Sequence, residues 1–251
     1  MFDTIRLAEV LLISGIFILG GLVKGMVGFG LPTITLGLLA LTRPLPEAMA
    51  LVVAPTLATN IWQGLAGGQL RACWQRLKGF YVLSALGTLA ATGLLARADG
   101  RLLAGLLGLL IVASSLSALF GPRWPLPSPA KERLLSPLMG LVSGALNGLT
   151  GSYMMPAAPW LAALRLPPDQ FVQGFGLGAT LVTTLLALGM AGQGMIPLEL
   201  GLSGLAVLVP SFLGLWLGRL GRGALAEAWF RRVVQAVLLL IGLQLVLRGF
   251  G

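Results

Sequence analysis

Gly21-Leu22-Val23-Lys24-Gly25-Met26-Val27-Gly28-Phe29-Gly30-Leu31-Pro32 lies inside the first apolar stretch of this chain. A second copy of the pattern, Gly144-Ala145-Leu146-Asn147-Gly148-Leu149-Thr150-Gly151-Ser152 followed by Pro156, lies in the second half. Both copies set glycines at i, i+4 and i+7, with one strongly polar side chain, Lys24 or Asn147, just before the middle glycine. Glycine with proline close behind weakens a helix. In a bilayer such a break is tolerated only where the freed backbone faces protein or a water-filled cavity. Two matching breaks in two halves of a chain therefore predict a transport site between them.

The surroundings of the motif set the class. Hydrophobic residues make up 57% of the chain and charged residues only 10%, too few charges for the surface of a soluble domain of this size. Apolar runs of near membrane-spanning length follow one another across short polar gaps, which predicts an all-α polytopic membrane protein in a lipid bilayer. The net charge of +9 comes from basic residues gathered near a few segment ends, as the positive-inside bias requires. No basic surface interleaved with aromatics argues for nucleic acid. With no histidine and a single cysteine, Cys73, zinc sites and Ser-His-Asp or Cys-His nucleophiles have no material. The sequence calls for no enzyme and no cofactor.

Spans are predicted at 7–41 (containing the first break), 48–66, 79–96 and 102–120, then at 134–164 (containing the second), 171–192, 200–217 and 233–247. The first run has Asp3 beside Arg6 instead of a basic leader and continues into the glycine motif, so it reads as a retained helix. Residues 122–133 are rich in proline and charge and read as an extended cytoplasmic linker. Repeat 1 would then cover residues 1–121 and repeat 2 residues 134–251 of one membrane domain. Arg43 with Pro46-Glu47 aligns with Arg165 and Pro168-Asp169, and Ala66-Gly67-Gly68-Gln69 with Ala191-Gly192-Gln193-Gly194.

Loop charge then sets sidedness. Arg71, Arg76 and Lys78 crowd one connection, whereas residues 193–199 in the other half have no lysine or arginine. Arg219, Arg222, Arg231 and Arg232 crowd another, whose first-half counterpart is the balanced Arg97, Asp99 and Arg101. Equivalent connections thus fall on opposite sides, as two inverted-topology repeats require. Each glycine-broken stretch must then be a helical hairpin that starts and finishes on one side. That gives about eight to ten transmembrane segments, depending on how the hairpins are counted.

Lys24 is the lysine that lies inside an apolar segment. Buried in hydrocarbon, it must face a cavity or an anion, or snorkel to the interface. Glycine spacing by itself serves close helix packing, so Gly21, Gly25, Gly144 and Gly148 suit packing, while Gly28, Gly30 and Gly151 suit a site at which backbone N–H groups meet an anion. Thr56, Thr59 and Asn60 lie mid-segment in the first half, and Thr180, Thr183 and Thr184 at matching positions in the second. The threonines either bond their own i−4 carbonyls or face substrate, and Asn60 either joins helices or binds substrate. The candidate substrate-binding set is Lys24, Gly25, Gly28, Gly30, Thr56, Asn60, Asn147, Gly148, Gly151, Ser152 and Thr183.

The doubled motif, with Gly21-x-x-x-Gly25-x-x-Gly28-Phe29-Gly30 in the first copy, resembles that of the sulfite exporter TauE/SafE family, also called TSUP. The resemblance covers essentially the whole chain. It implies a multi-pass carrier of the bacterial inner membrane that moves sulfite, organosulfonates or related sulfur-containing or carboxylate anions. Lys24 occupies a motif position that is more often neutral, and the second copy reads Gly151-Ser152-Tyr153 where more glycine is usual. The expected mechanism is alternating access, with proton coupling plausible. A non-transporting membrane scaffold and an anion channel are the competing readings, and the oligomeric state stays open. Reporter fusions are expected to place the connections at residues 67–78 and 122–133 in the cytoplasm and residues 193–199 outside. A cytoplasmic signal from 193–199 would end the inverted arrangement.

Overall fold

The computed structural model describes residues 2–121, 124–221 and 226–251. Arg222, one of the basic residues used above for sidedness, and residues 122–123 of the predicted linker lie outside them. The described residues are helical with no strand. In order they form α1 (Phe2–Val27), α2 (Leu31–Leu39), α3 (Leu45–Leu65), α4 (Leu70–Leu95), α5 (Gly100–Phe120), α6 (Pro129–Thr150), α7 (Ala157–Ala163), α8 (Pro168–Gly192), α9 (Leu198–Ala206), α10 (Leu208–Leu220) and α11 (Ala226–Phe250).

Among the described residues seven helical stretches are long and apolar enough to cross a membrane, with α9 and α10 counted as one. Adding α6, whose first turns carry Lys131, Glu132 and Arg133, gives eight; adding the short α2 and α7 gives ten. The chain is thus a polytopic α-helical membrane protein.

Both glycine motifs break the helix where expected. α1 stops at Val27, and Gly28 (φ 93°) and Gly30 (φ 107°) turn the chain into α2. α6 stops at Thr150 with Gly151 at φ 73° as its C-cap. These left-handed conformations are ones that an L side chain resists.

Each break makes a hairpin that closes on itself. Arg43, after α2, pairs with Glu9 on α1, and Arg248 at the end of α11 donates to the Leu41 carbonyl at 2.7 Å. At the opposite end of the bundle Arg76 pairs with Glu132 at the start of α6 at 2.9 Å and donates to the Leu164 carbonyl, after α7, at 3.4 Å.

The most extensive helix pairs are α4–α6, α5–α11, α1–α10 and α3–α8. Glycines face the partner helix in all four, and the approach is closest in α4–α6 and α1–α10. A Cβ on Gly21 or Gly25 would overlap the Ser211 or Leu215 carbonyl of α10, and one on Gly144 would overlap the Ser84 carbonyl of α4. On Gly148 it would stand 2.7 Å from the Thr88 carbonyl. With lipid on the other side there is little hydrophobic drive between helices, so backbone approach of this kind holds them. Two apolar cores flank the centre, one built around Leu36, Met49, Leu51, Leu107 and Leu186, the other around Phe80, Tyr81, Tyr153, Trp160 and Phe175.

Several sequence boundaries need correction. Arg71, Arg76 and Lys78 lie on the first turns of α4, which begins at Leu70 and not near residue 79. Arg219 likewise belongs to α10, and Arg231 and Arg232 to α11. The helices outrun the apolar window because their ends project past the hydrocarbon, where charged residues are at ease. α6 begins at Pro129, inside the predicted linker, with the Ser128 hydroxyl accepting from the Lys131 N–H at 3.4 Å. Proline in the first turn is compatible with a helix because its missing N–H is not needed there. The span predicted at 200–217 is interrupted at Val207.

The close approaches give an expected outcome. Gly144→Val and Gly21→Val should each lower thermal stability in detergent by about 3 kcal/mol or more, because backbone must shift. Gly93→Ala, with open space around its Cβ position, should change stability by less than about 1 kcal/mol. Equal effects at all three positions, read by thermal unfolding, would remove the packing explanation.

Candidate functional site

Lys24 sits in the last turn of α1, where the carbonyl end of the helix favours a cation. It is only 3% exposed. Its ammonium group donates to Thr59 Oγ1 at 3.0 Å and to Asn60 Oδ1, both on α3. Thr59 gives its own proton to backbone, with Pro55 O at 2.7 Å, so toward Lys24 it acts as acceptor. Both partners are neutral. A buried cation supported only by neutral acceptors still lacks a charge to offset its desolvation.

Two spaces meet at this lysine. The first is a vestibule of about 410 Å³ between the C-terminal ends of α3 and α10 and the start of α8. Lys24, Gly28, Thr59, Gln63, Asp169 and Arg219 are among its lining residues. Arg219 also lies over the Trp62 ring, 5.6 Å from its centroid. The second is a closed central cavity of about 20 Å³, roughly room for a single water. Lys24, Gly30, Thr56, Asn60, Asn147, Gly151 and Thr183, seven of the sequence candidates, line it. Gly151 at the cavity meets Leu36 and Met49, which are buried in one apolar core with Leu186 and Met190.

The cavity offers donors. Thr56 Oγ1 is buried and has no hydrogen-bond partner among the described residues. Asn60, accepting through Oδ1, keeps its NH₂ group as a donor. Asn147 Nδ2 reaches Val182 O only at 3.4 Å. The start of α2 at Gly30 has no side-chain cap, which leaves backbone N–H groups beside the cavity.

The other candidates fall elsewhere. Gly28 lines the vestibule, while Gly25 and Gly148 face helices α10 and α4 in packing. Ser152 is buried at the second hairpin tip. Its hydroxyl meets Thr33 Oγ1 of the first hairpin at 3.2 Å, and its N–H donates to Thr150 Oγ1 at 3.3 Å. Thr180 and Thr184 bond their i−4 carbonyls at 2.7 and 2.8 Å, the local solution open to any membrane threonine.

Sequence reading had left out Thr59 as Lys24's partner, although it lies one residue before Asn60. It also left out the aromatic wall of Phe29, Tyr153 and Phe175, whose rings lie 5.6–5.8 Å apart in successive pairs. The signal available was a lone tyrosine directly after the second glycine break.

The profile of the sulfite exporter TauE/SafE family matches residues 12–245. That span is nearly the whole chain, so this protein belongs to the sulfite exporter TauE/SafE family, a family of membrane transporters. No curated protein and no solved structure matches it.

The contact between hairpin tips can be trapped. In a Cys73→Ala background, Thr33→Cys with Ser152→Cys should form an intramolecular disulfide on mild oxidation, because the two hydroxyls are 3.2 Å apart. Loss of maleimide reactivity in the pair but not in either single variant is the expected result; full reactivity in the pair would separate the tips.

Proposed function

We propose that this member of the sulfite exporter TauE/SafE family is a secondary carrier of a small anion, sulfite or a related sulfur-containing or carboxylate anion, bound at Lys24. The observation that carries the reading is the buried Lys24 ammonium with Thr59 and Asn60 as its hydrogen-bond partners among the described residues, standing where an open vestibule meets a small central cavity. An anion supplies the missing charge. Thr56, the Asn60 amide and the uncapped start of α2 add neutral donors for its oxygens. Asn147 faces the same cavity from the second hairpin.

The carrier works by alternating access between two inverted repeats, residues 1–121 and 134–251, joined by a cytoplasmic linker. The helix pairing supports this. Exchange of α1 with α6 and of α4 with α10 turns one glycine-faced pair into the other and leaves α3–α8 and α5–α11 as self-matched pairs. The vestibule lies at the end that carries Arg71, Arg76, Lys78 and Arg219, the cytoplasmic end by the positive-inside bias. The conformation described here is then open to the cytoplasm of the bacterial inner membrane and closed outward by Leu36, Met49, Leu186 and Met190.

Glu47, Asp169 and Glu199 occupy the first turns of α3, α8 and α9, at helix ends, and of the three Asp169 lines the vestibule. Proton coupling in this reading rides on the anion itself, carried as its conjugate acid.

Lys24→Met should reduce anion flux in proteoliposomes by about two to three orders of magnitude, the scale of removing one partner from a buried charge pair, while the protein still folds. Asn60→Ala should cost roughly tenfold. In wild type a transported anion should raise thermal stability by binding the folded state, and counterflow should be present. Wild-type flux in Lys24→Met would remove the anion site, and absent counterflow with retained flux would make the protein a channel.

A further inference from the structure

A second basic feature lies away from the central cavity, on the lipid-facing side of the tightest helix pair. The first turns of α4 and α6 enclose a groove of about 450 Å³ lined by Arg76, Lys78, Glu132 and Arg133, with Phe80 and Pro137 among its apolar walls. Arg76 and Glu132 neutralise each other across it, at 2.9 and 3.1 Å. Lys78 and Arg133 remain, both exposed, one on each helix. Among the described residues neither has a carboxylate partner.

Each of these cations heads an apolar lane. On α4, Lys78 is followed by the exposed Leu86, Ala90 and Leu94, spaced four apart on the flank that borders α6, where Gly79 meets Pro137. On α6, Arg133 is followed by the exposed Leu134 (74%), Leu138, Leu141 and Val142. The lanes run side by side because Gly87, Gly140 and Gly144 let the helix backbones touch. Trp74, a side chain suited to the interfacial layer, marks the depth of the cation pair.

We infer that this groove seats an anionic phospholipid, its phosphate held between Lys78 and Arg133 and its acyl chains lying along the two lanes. Two unpaired cations in one concavity above exposed hydrocarbon-contacting faces match the charge and shape of such a lipid. A soluble anionic peptide could not follow lanes that descend into the hydrocarbon. A second copy of this chain docked symmetrically on the same face would bring its own Lys78 and Arg133 against these. The site is independent of what the central cavity carries.

The test compares retention of chain-matched phosphatidylglycerol and phosphatidylcholine on purified protein by native mass spectrometry. Wild type should prefer phosphatidylglycerol by roughly tenfold or more. The double variant Lys78→Gln, Arg133→Gln should lose that preference, and Lys131→Gln, outside the groove, should keep it. Excess inorganic phosphate should not displace the bound lipid. Equal retention of the two lipids by wild type overturns the proposal, as does an unchanged preference in the double variant. Displacement by inorganic phosphate would assign the groove to a free anion, and a dimer that dissociates in the double variant would assign it to a second copy; either result also overturns the proposal. Should the double variant fail to fold, the wild-type lipid comparison and the phosphate competition decide alone.

Discussion

Contact between bare helix backbones is what the rest of this molecule depends on. Where Gly21 and Gly25 meet Ser211 and Leu215, and Gly144 meets Ser84, any side chain heavier than hydrogen would displace a carbonyl. In water, burial of apolar surface could hold helices together at a looser spacing. In lipid that drive is largely absent, and dispersion between closely packed backbones takes its place. The two contacts fix α1 and α6, and so fix where their hairpin tips meet. Without that register Lys24, Asn60, Asn147 and Gly151 would not line one cavity.

Within a frame whose halves pair so similarly, the centre is chemically uneven. α1 brings an ammonium at the position where α6 brings an amide. The ammonium is bonded to two neutral groups on α3, while the amide has one long bond to backbone. The hairpin tips also differ: the first turns through Gly28 and Gly30 into an uncapped α2, whereas the second passes through Gly151 and ties its backbone to Thr150 and its side chain to Thr33. The backbone pattern is shared, and the polar equipment is concentrated on one side of it.

Much of this was legible in the chain because glycine and charge are strong signals in apolar sequence. The two breaks fall at the spaced glycines, since L side chains resist the positive φ of 93° and 107° at the first break and 73° at the second. The i+4 spacing of Gly25 and Gly148 points to packing, and both do face a partner helix; the same spacing suits a site equally well, because spacing alone does not say which face of a helix meets a partner. Helix ends were misplaced at Arg76, Lys78 and Pro129 for a related reason. An apolar window measures the hydrocarbon, and helices extend beyond it. The pairing of Thr59 with Lys24 depends on the crossing of α1 and α3, a tertiary fact with no local trace.

The exchange of partners between the two ends of the chain bears on how the protein is made. α1 packs against α10, whose first residue is Leu208. During synthesis the first hairpin leaves the ribosome long before that partner exists. Its glycine face must wait in the insertion machinery or in lipid without the helix that covers it. Severing the chain at the central connector would leave α1 without α10 and α6 without α4, so neither fragment could complete its own core. Biogenesis must therefore run to the last helices before the first one is settled.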